Sequence, residues 1–503
     1  MPVRTPRKPV RGRTPATAVA LSAALGLTVL APQGAVAAPS TQDAVTASAV
    51  VAQGQPMNYA VNATKANRGQ TLKAERAVRA AGGSVVTSWA QIGVVIARSS
   101  DPAFAELLRR SGAVDSVGAT RTAAVATTDA TTGVGDPLAP GESGEPGKKP
   151  AAAQGARRAA GVEAATTVVP DPREGEQWDM AAIGADDAHE ITDGSRDVLV
   201  AVLDSGIQGD HPDLAANVDA AASAGCLSGV PDTSYAAWQP STSDHGTHVA
   251  GTIAAARNGV GIVGVAPGVR MSSVKVVNDD GFIFAEAAIC GFMQAALSGA
   301  DITNNSYYVD PWQFWCDDVV DQRAVKTAVN RAVQYSQDRG VANVAAAGNS
   351  NVDLANKTVD TSSPNDTTPV QRSIDQGCDD VPAELGGVVT VSSTTSTGAK
   401  SSFSNYGEGV VDVAAPGSSS LSTVTGGGYG LKSGTSMASP HAAGVLALIK
   451  SAHPELSGEA LTGRLEQQAD DVPCPTGSAQ CTGTAADNGF FGEGLVDALD
   501  AVR

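Results

Sequence analysis

The stretch "SGTSMASPHAAG", residues 433–444, crowds Ser433, Thr435, Ser436 and Ser439 beside Pro440 and His441, directly before the apolar run "VLALIK". A helix start needs one capping hydroxyl; this surplus suits a reactive hydroxyl with its seat built around it. Three other stretches place polar residues at the ends of apolar runs. "VLVAVLDSGI" closes on Asp204, "SDHGTHVAGT" sets His245 and His248 at a helix start, and "VANVAAAGNS" closes on Gly348-Asn349. Each has a plain structural reading when taken singly: a turn cap, a histidine pair without the Glu of a zinc helix, a tight turn. Together they supply carboxylate, imidazole, side-chain amide and hydroxyl. That is the inventory of nucleophilic acyl transfer: a weak nucleophile, a base, an orienting group and an oxyanion donor.

Such groups must be carried on elements that bring them to one place. From "QWDM" onward, β-branched runs ("DVLVAVLDSGI", "VRMSSVKVVN", "ADITNNSYY", "GVANVAAAGN", "GGVVTVSST") alternate with helical stretches such as "HVAGTIAAA", "FAEAAICGFMQAALSG" and "RAVKTAVNRAVQYSQDRG". This pattern predicts an α/β fold, a mostly parallel sheet with helices on both faces. In such sheets chemistry gathers beyond the carboxyl ends of the strands. Upstream, residues 57–118 read strand-helix-strand-strand-helix-strand, a small ferredoxin-like unit.

The rest of the chain sorts into segments. Five basic residues between positions 4 and 13, an apolar run from Ala18 to Ala31, and "GAVAAPS" predict a signal peptide over 1–38, cut near Ala37. Residues 39–56 form a linker and 57–125 the small unit. Residues 126–172, poor in large apolar side chains, form a flexible linker and processing region, with Lys148-Lys149 and Arg157-Arg158 as exposed basic pairs. Residues 173–503 form the large domain. Residues 1–170 hold 18 basic and 10 acidic residues, net +8, and residues 171–503 hold 16 and 42, net −26. So acidic a body argues against nucleic acid as a partner, where phosphates dominate affinity. It suits a soluble exported protein with no membrane contact after signal cleavage, acting as a monomer. The six cysteines all lie in the acidic part. An even count in an exported chain predicts three disulfides, with Cys474 to Cys481 the easiest pair and the other partners open.

"AVLDSGI", "DHGTHVAGT", "AAAGN" and "SGTSMASPHAAG", in this order, resemble the signature segments of the subtilisin-like serine proteases. The Asp-His-Ser order differs from that of chymotrypsin-like and α/β-hydrolase chains. The resemblance covers about residues 173–503 and implies a secreted endopeptidase working through an acyl-enzyme on protein and peptide substrates, without a cofactor for catalysis. It implies Ser436 as nucleophile, His245 rather than His248 as general base, Asp204 as its orienting partner and Asn349 as oxyanion donor. By the same resemblance, residues 57–125 are an inhibitory propeptide, an intramolecular partner of the enzyme. Substrate would lie as an added strand between Gly281-Phe282-Ile283 and Ser306-Tyr307-Tyr308, beside Gly348. The two tyrosines depart from the Ser-Leu-Gly more usual in the family at the second segment. A structural calcium site would use Asp213 of "HPDL" and Asn258 of "ARNGVGIVGV". The competing reading is a catalytically silent subtilase fold used as a binding module; the four intact motifs weigh against it. A structural surface protein finds no support in repeats, stalk or anchoring tail.

Overall fold

The computed structural model describes residues 54–125 and 170–503. The expected signal peptide and nearly all of the expected 126–172 linker lie outside the described residues. Among those described, no helix is long and apolar enough to cross a membrane.

The small unit runs β1 (Met57–Ala63), α1 (Arg68–Ala80), β2 (Ser84–Trp89), β3 (Val94–Ser99), α2 (Phe104–Arg109) and β4 (Val114–Ala119). Its antiparallel sheet has the order β2-β3-β1-β4. Side chains alternate across a strand, and here both faces are apolar. Tyr59, Val61, Val95 and Ala97 pack under the helices with Phe104 and Leu108. Ala60, Val94 and Ile96 face the other way and join a core of the large domain. Asn67 caps α1 by accepting the Gln70 N–H, so the helix starts where the sequence offers a good cap.

The large domain is built on a seven-stranded parallel sheet. Its strands are β5 (Leu199–Asp204), β6 (Ala224–Gly225), β7 (Arg270–Lys275), β8 (Ile302–Asn305), β9 (Ala342–Ala346), β10 (Val388–Thr394) and β11 (Val413–Pro416). They lie in the order β11-β10-β9-β8-β5-β7-β6. Helices α3 (His245–Ala254) and α6 (Thr435–Ala452) share one apolar core with the sheet. Helices α4 (Ala285–Ser298) and α5 (Val320–Asp338) share the other. Strands added after β5 go first to one side and then to the other, so the chain reverses direction of growth between β5 and β8. A crevice opens at the carboxyl ends at such a switch point, and Asp204 and Ser306 stand on its two sides.

The run "ADITNNSYY" is strand only from Ile302 to Asn305. Beyond it the chain leaves the sheet, and the Val309 N–H bonds the Val381 carbonyl at 2.7 Å. Residues 306–308 are thereby turned toward the crevice. The cysteines form three disulfides, Cys226–Cys290, Cys316–Cys378 and the expected Cys474–Cys481.

The small unit docks its sheet on α4 and α5. Asn62 Nδ2 donates to the Ala324 carbonyl at 2.8 Å and Arg331 Nη1 to the Ala63 carbonyl at 3.1 Å. At Gly118 the contact is so close that a Cβ would lie 2.1 Å from the Asp321 carbonyl oxygen, so only glycine fits. Past β4, Arg121 pairs with the buried Glu286. The Thr122 and Ala123 N–H groups donate to Asp366 Oδ2 at 2.7 and 2.8 Å.

Candidate active site

Asp204 ends β5 and is buried. His245 opens α3, with its side chain 31% exposed. Its Nδ1 lies 2.9 and 3.0 Å from the two Asp204 carboxylate oxygens, which leaves Nε2 to face the crevice. The Asp204 carboxylate also accepts the Ser205 N–H at 2.6 Å, while Ser205 Oγ accepts the Gly246 N–H at 2.9 Å. Strand end and helix start are thus laced together. Burial pulls the His245 pKa down, but the charge and hydrogen bond of Asp204 outweigh it and leave the imidazole above its ordinary value. His248 differs: burial drives it down to about 4, and its Nε2 is spent on the Gly430 carbonyl at 3.0 Å.

Ser436 lies in the first turn of α6, where the helix dipole favours negative charge. Its Oγ donates to the Ser306 carbonyl at 3.2 Å, rather than to His245, and Ser306 Oγ donates back to the Ser436 carbonyl at 3.0 Å. Pro440 explains the second bond. It has no N–H, so the Ser436 carbonyl four residues earlier loses its helical partner, and Ser306 replaces it. Ser439 Oγ donates to Asn304 Oδ1 at 2.7 Å, Ser433 Oγ accepts the Ser419 N–H at 2.8 Å, and His441 is buried against Asp179 at 3.0 Å. Among these hydroxyls, that of Ser436 faces the crevice.

Asn349 follows β9. Its Oδ1 accepts both the N–H and the Oγ1–H of Thr435, so the amide nitrogen is left to face the crevice. Asn405 holds the same turn. Its Nδ2 donates to the Ala347 carbonyl, and its Oδ1 accepts the N–H groups of Ser350 and Val352. Gly348 has φ +96°, and a Cβ there would sit 2.4 Å from Asn405 Nδ2; the turn requires glycine on both counts.

A cleft of about 650 Å³ joins these groups. The expected triad and Asn349 line it, and so do Gly281, Phe282, Ile283, Ser306, Tyr307, Tyr308 and Gly348. Phe282 and Ile283 form one rim, and the Ile283 carbonyl accepts the Asp310 N–H at 2.8 Å. The Tyr307 hydroxyl donates to Asn305 Oδ1 at 3.1 Å. The Tyr308 hydroxyl accepts from Asn365 Nδ2 at 3.0 Å.

Sequence reading missed Thr435 and Asn405, which position Asn349, and the acidic residues Asp310 and Asp380, which also line the cleft. In the sequence Asp310 stands as a lone carboxylate in "VDPW", and Asp380 is one of three in "CDDVPAE" with nothing to single it out. Asp213 and Asn258 stand away from the cleft. Asp213 Oδ2 accepts the Ile262 N–H at 3.1 Å, and its Oδ1 is buried with no hydrogen-bond partner. Asn258 Oδ1 accepts the Val260 N–H, and its Nδ2 donates to the Pro212 carbonyl.

A profile described as "Subtilase family" matches residues 195–494. Subtilisin Savinase of Lederbergia lenta is 32% identical over 329 residues, covering 65% of this chain and 98% of that protein. Subtilisin E of Bacillus subtilis is 35% identical over 307 residues, covering 61% and 66%. Among solved structures, an epidermin leader peptide processing serine protease of Staphylococcus aureus superposes with a TM-score of 0.61. It covers 89% of this chain and 98% of its own at 20% identity, a likeness of fold.

Proposed function

The chain belongs to the subtilase family and is a serine endopeptidase, and on that premise we propose that Asp204, His245 and Ser436 are its triad and Asn349 its oxyanion donor. One observation carries this reading: the Asp204–His245 pair, the Ser436 hydroxyl and the Thr435-pinned Asn349 amide line one cleft. Ser436 Oγ turns from the Ser306 carbonyl toward His245 Nε2, gives up its proton there and attacks the scissile carbonyl. Asp204 keeps the Nδ1–H tautomer and stabilises the imidazolium. The Asn349 amide and the Ser436 N–H stabilise the oxyanion, and His245 passes the proton to the leaving amine. Water then repeats the sequence on the acyl-enzyme. Catalysis needs no cofactor.

Labelling by a fluorophosphonate tests the assignment. Adduct on the Ser436 peptide, absent in Ser436→Ala and in Ser436-intact His245→Ala, is the expected result; a labelled serine elsewhere removes Ser436 from the role.

The same reading makes the chain a secreted preproprotein, with residues 57–125 as an inhibitory propeptide. The docking of that unit on α4 and α5 and the opposite charges of the two parts support it. For calcium, the buried and partnerless Asp213 Oδ1 fits a hard cation. Asp213 and Asn258 would hold the ion, which would stiffen the loop and take no part in the chemistry.

A further inference from the structure

Asp380 is 1% exposed, and neither of its carboxylate oxygens has a hydrogen-bond partner. Both conditions are unusual for a carboxylate, which is expensive to bury without a partner. Its neighbours are each provided for. Asp379 pairs with Lys326 at 2.9 Å, Glu384 with Lys357, and Asp360 with Arg372 at 2.7 Å. Asp380 lines the cleft that holds Ser436 and Asn349. A Cβ on Gly348, the residue next to Asn349, would lie 3.5 Å from Asp380 Oδ2. The carboxylate therefore stands on the wall beside the oxyanion amide.

Its position is fixed. The Asp380 N–H donates to Glu384 Oε2 at 2.7 Å. The next residue, Val381, pairs with Val309, and the Cys316–Cys378 disulfide anchors the segment two residues earlier. Asp310, on the segment facing it, also lines the cleft. Its oxygens accept the Ile283 N–H at 2.5 Å and Asn365 Nδ2 at 2.6 Å. Gln313, Ser350 and Ser362 complete a polar wall.

Resting on the serine endopeptidase reading, we propose that Asp380, seconded by Asp310, makes this protease select a basic side chain, arginine or lysine, on the acyl side of the bond it cuts. The cation of the substrate supplies the partner that Asp380 lacks, and the polar wall takes its remaining N–H groups. Burial, followed by the charge of Glu384, raises the Asp380 pKa well above the ordinary carboxylate value, with Lys357 opposing and Asp379 adding to it. Burial raises Asp310 to about 7. A guanidinium entering between these groups favours their ionised forms.

The test uses mature enzyme counted by fluorophosphonate titration, so that misfolded molecules do not enter. Peptide p-nitroanilides differing only in the residue before the scissile bond (Arg, Lys, Phe, Leu) are compared by kcat/KM, and benzamidine serves as a small cationic competitor. The expected result is Arg and Lys over Phe and Leu, competitive inhibition by benzamidine, and a fall of roughly 100-fold in the Arg-to-Phe ratio in Asp380→Asn. Benzamidine affinity should fall with it, and Asp310→Asn should lower the ratio less. Three outcomes overturn the proposal: no basic preference in wild type, an unchanged ratio in Asp380→Asn, or a ratio set by added calcium instead of by Asp380. If Ser436 labels but the preference is absent, specificity alone fails. If Ser436 does not label, the protease assignment itself fails.

Discussion

Asn349 Oδ1 accepts two hydrogen bonds from one residue, Thr435, at 2.8 Å from its N–H and 2.9 Å from its Oγ1. The pair fixes which end of the amide faces the cleft. Asn349→Ala is expected to lower kcat by roughly 10²–10³-fold with little change in KM, a magnitude that comes from a member of this family. Thr435→Val keeps the backbone donor and loses the hydroxyl, so roughly a tenfold loss in kcat is expected. Steady-state kinetics on one peptide substrate checks both. A change confined to KM would take Asn349 out of the oxyanion role.

The pH profile follows from His245. A general base works only when neutral, and Asp204 holds this imidazole above its ordinary value. The acidic limb of kcat/KM is therefore expected above about pH 6.5, the unperturbed value, with activity lost as pH falls through it. Asp204→Asn removes the charge that raises the pKa, so the limb shifts to lower pH while kcat drops by roughly 10⁴-fold. An unshifted limb in that variant would assign the titration to another group.

Calcium is expected to act on stability and not on the chemistry. At about 100 times its dissociation constant, one bound ion adds about 2.7 kcal/mol. The melting temperature of the mature enzyme should then fall by several degrees in EGTA and recover on adding calcium. Asp213→Asn is expected to abolish that response while leaving kcat unaltered by calcium. A wild-type melting curve indifferent to EGTA would remove Asp213 and Asn258 from a metal site.

How far the sequence could be read depends on the kind of signal. Asp204, His245, Asn349 and Ser436 were legible because each follows a strongly patterned strand or opens a strongly patterned helix. Strand ends and helix starts converge at the switch point of a parallel sheet. The βαββαβ unit was legible for the same reason: alternation and helical period changed cleanly along residues 57–118. Thr435 and Asn405 were not, because their work is done through hydrogen bonds to residues 86 and 55 or 53 positions away. Asp380 sits in a short irregular segment, and its importance lies in partners it lacks. No pattern along a chain records a missing partner.

The docking of the small unit yields the last prediction. Arg121 and Glu286 are both buried at the contact, Arg121 lies over the Phe284 ring at 3.8 Å, and Asn58 Nδ2 donates to Glu286 Oε1 at 2.7 Å. Burial pushes the Glu286 carboxyl up, but Arg121 and Asn58 together bring it below its ordinary value. Residues 57–125 made separately are expected to inhibit the mature enzyme, more tightly at low ionic strength, since the two parts carry opposite net charge. Arg121→Ala leaves the covered Glu286 carboxylate without its cation, with only neutral donors such as Asn58, so inhibition is expected to weaken by about 100-fold. If the first cut, between 121 and 172, is made by the chain's own active site as proposed, the Ser436→Ala precursor is expected to accumulate uncleaved where no other protease is present. Normal processing of that precursor in a protease-free system would overturn self-cleavage. A folded 57–125 fragment that does not inhibit would overturn the propeptide assignment while leaving the catalytic one standing.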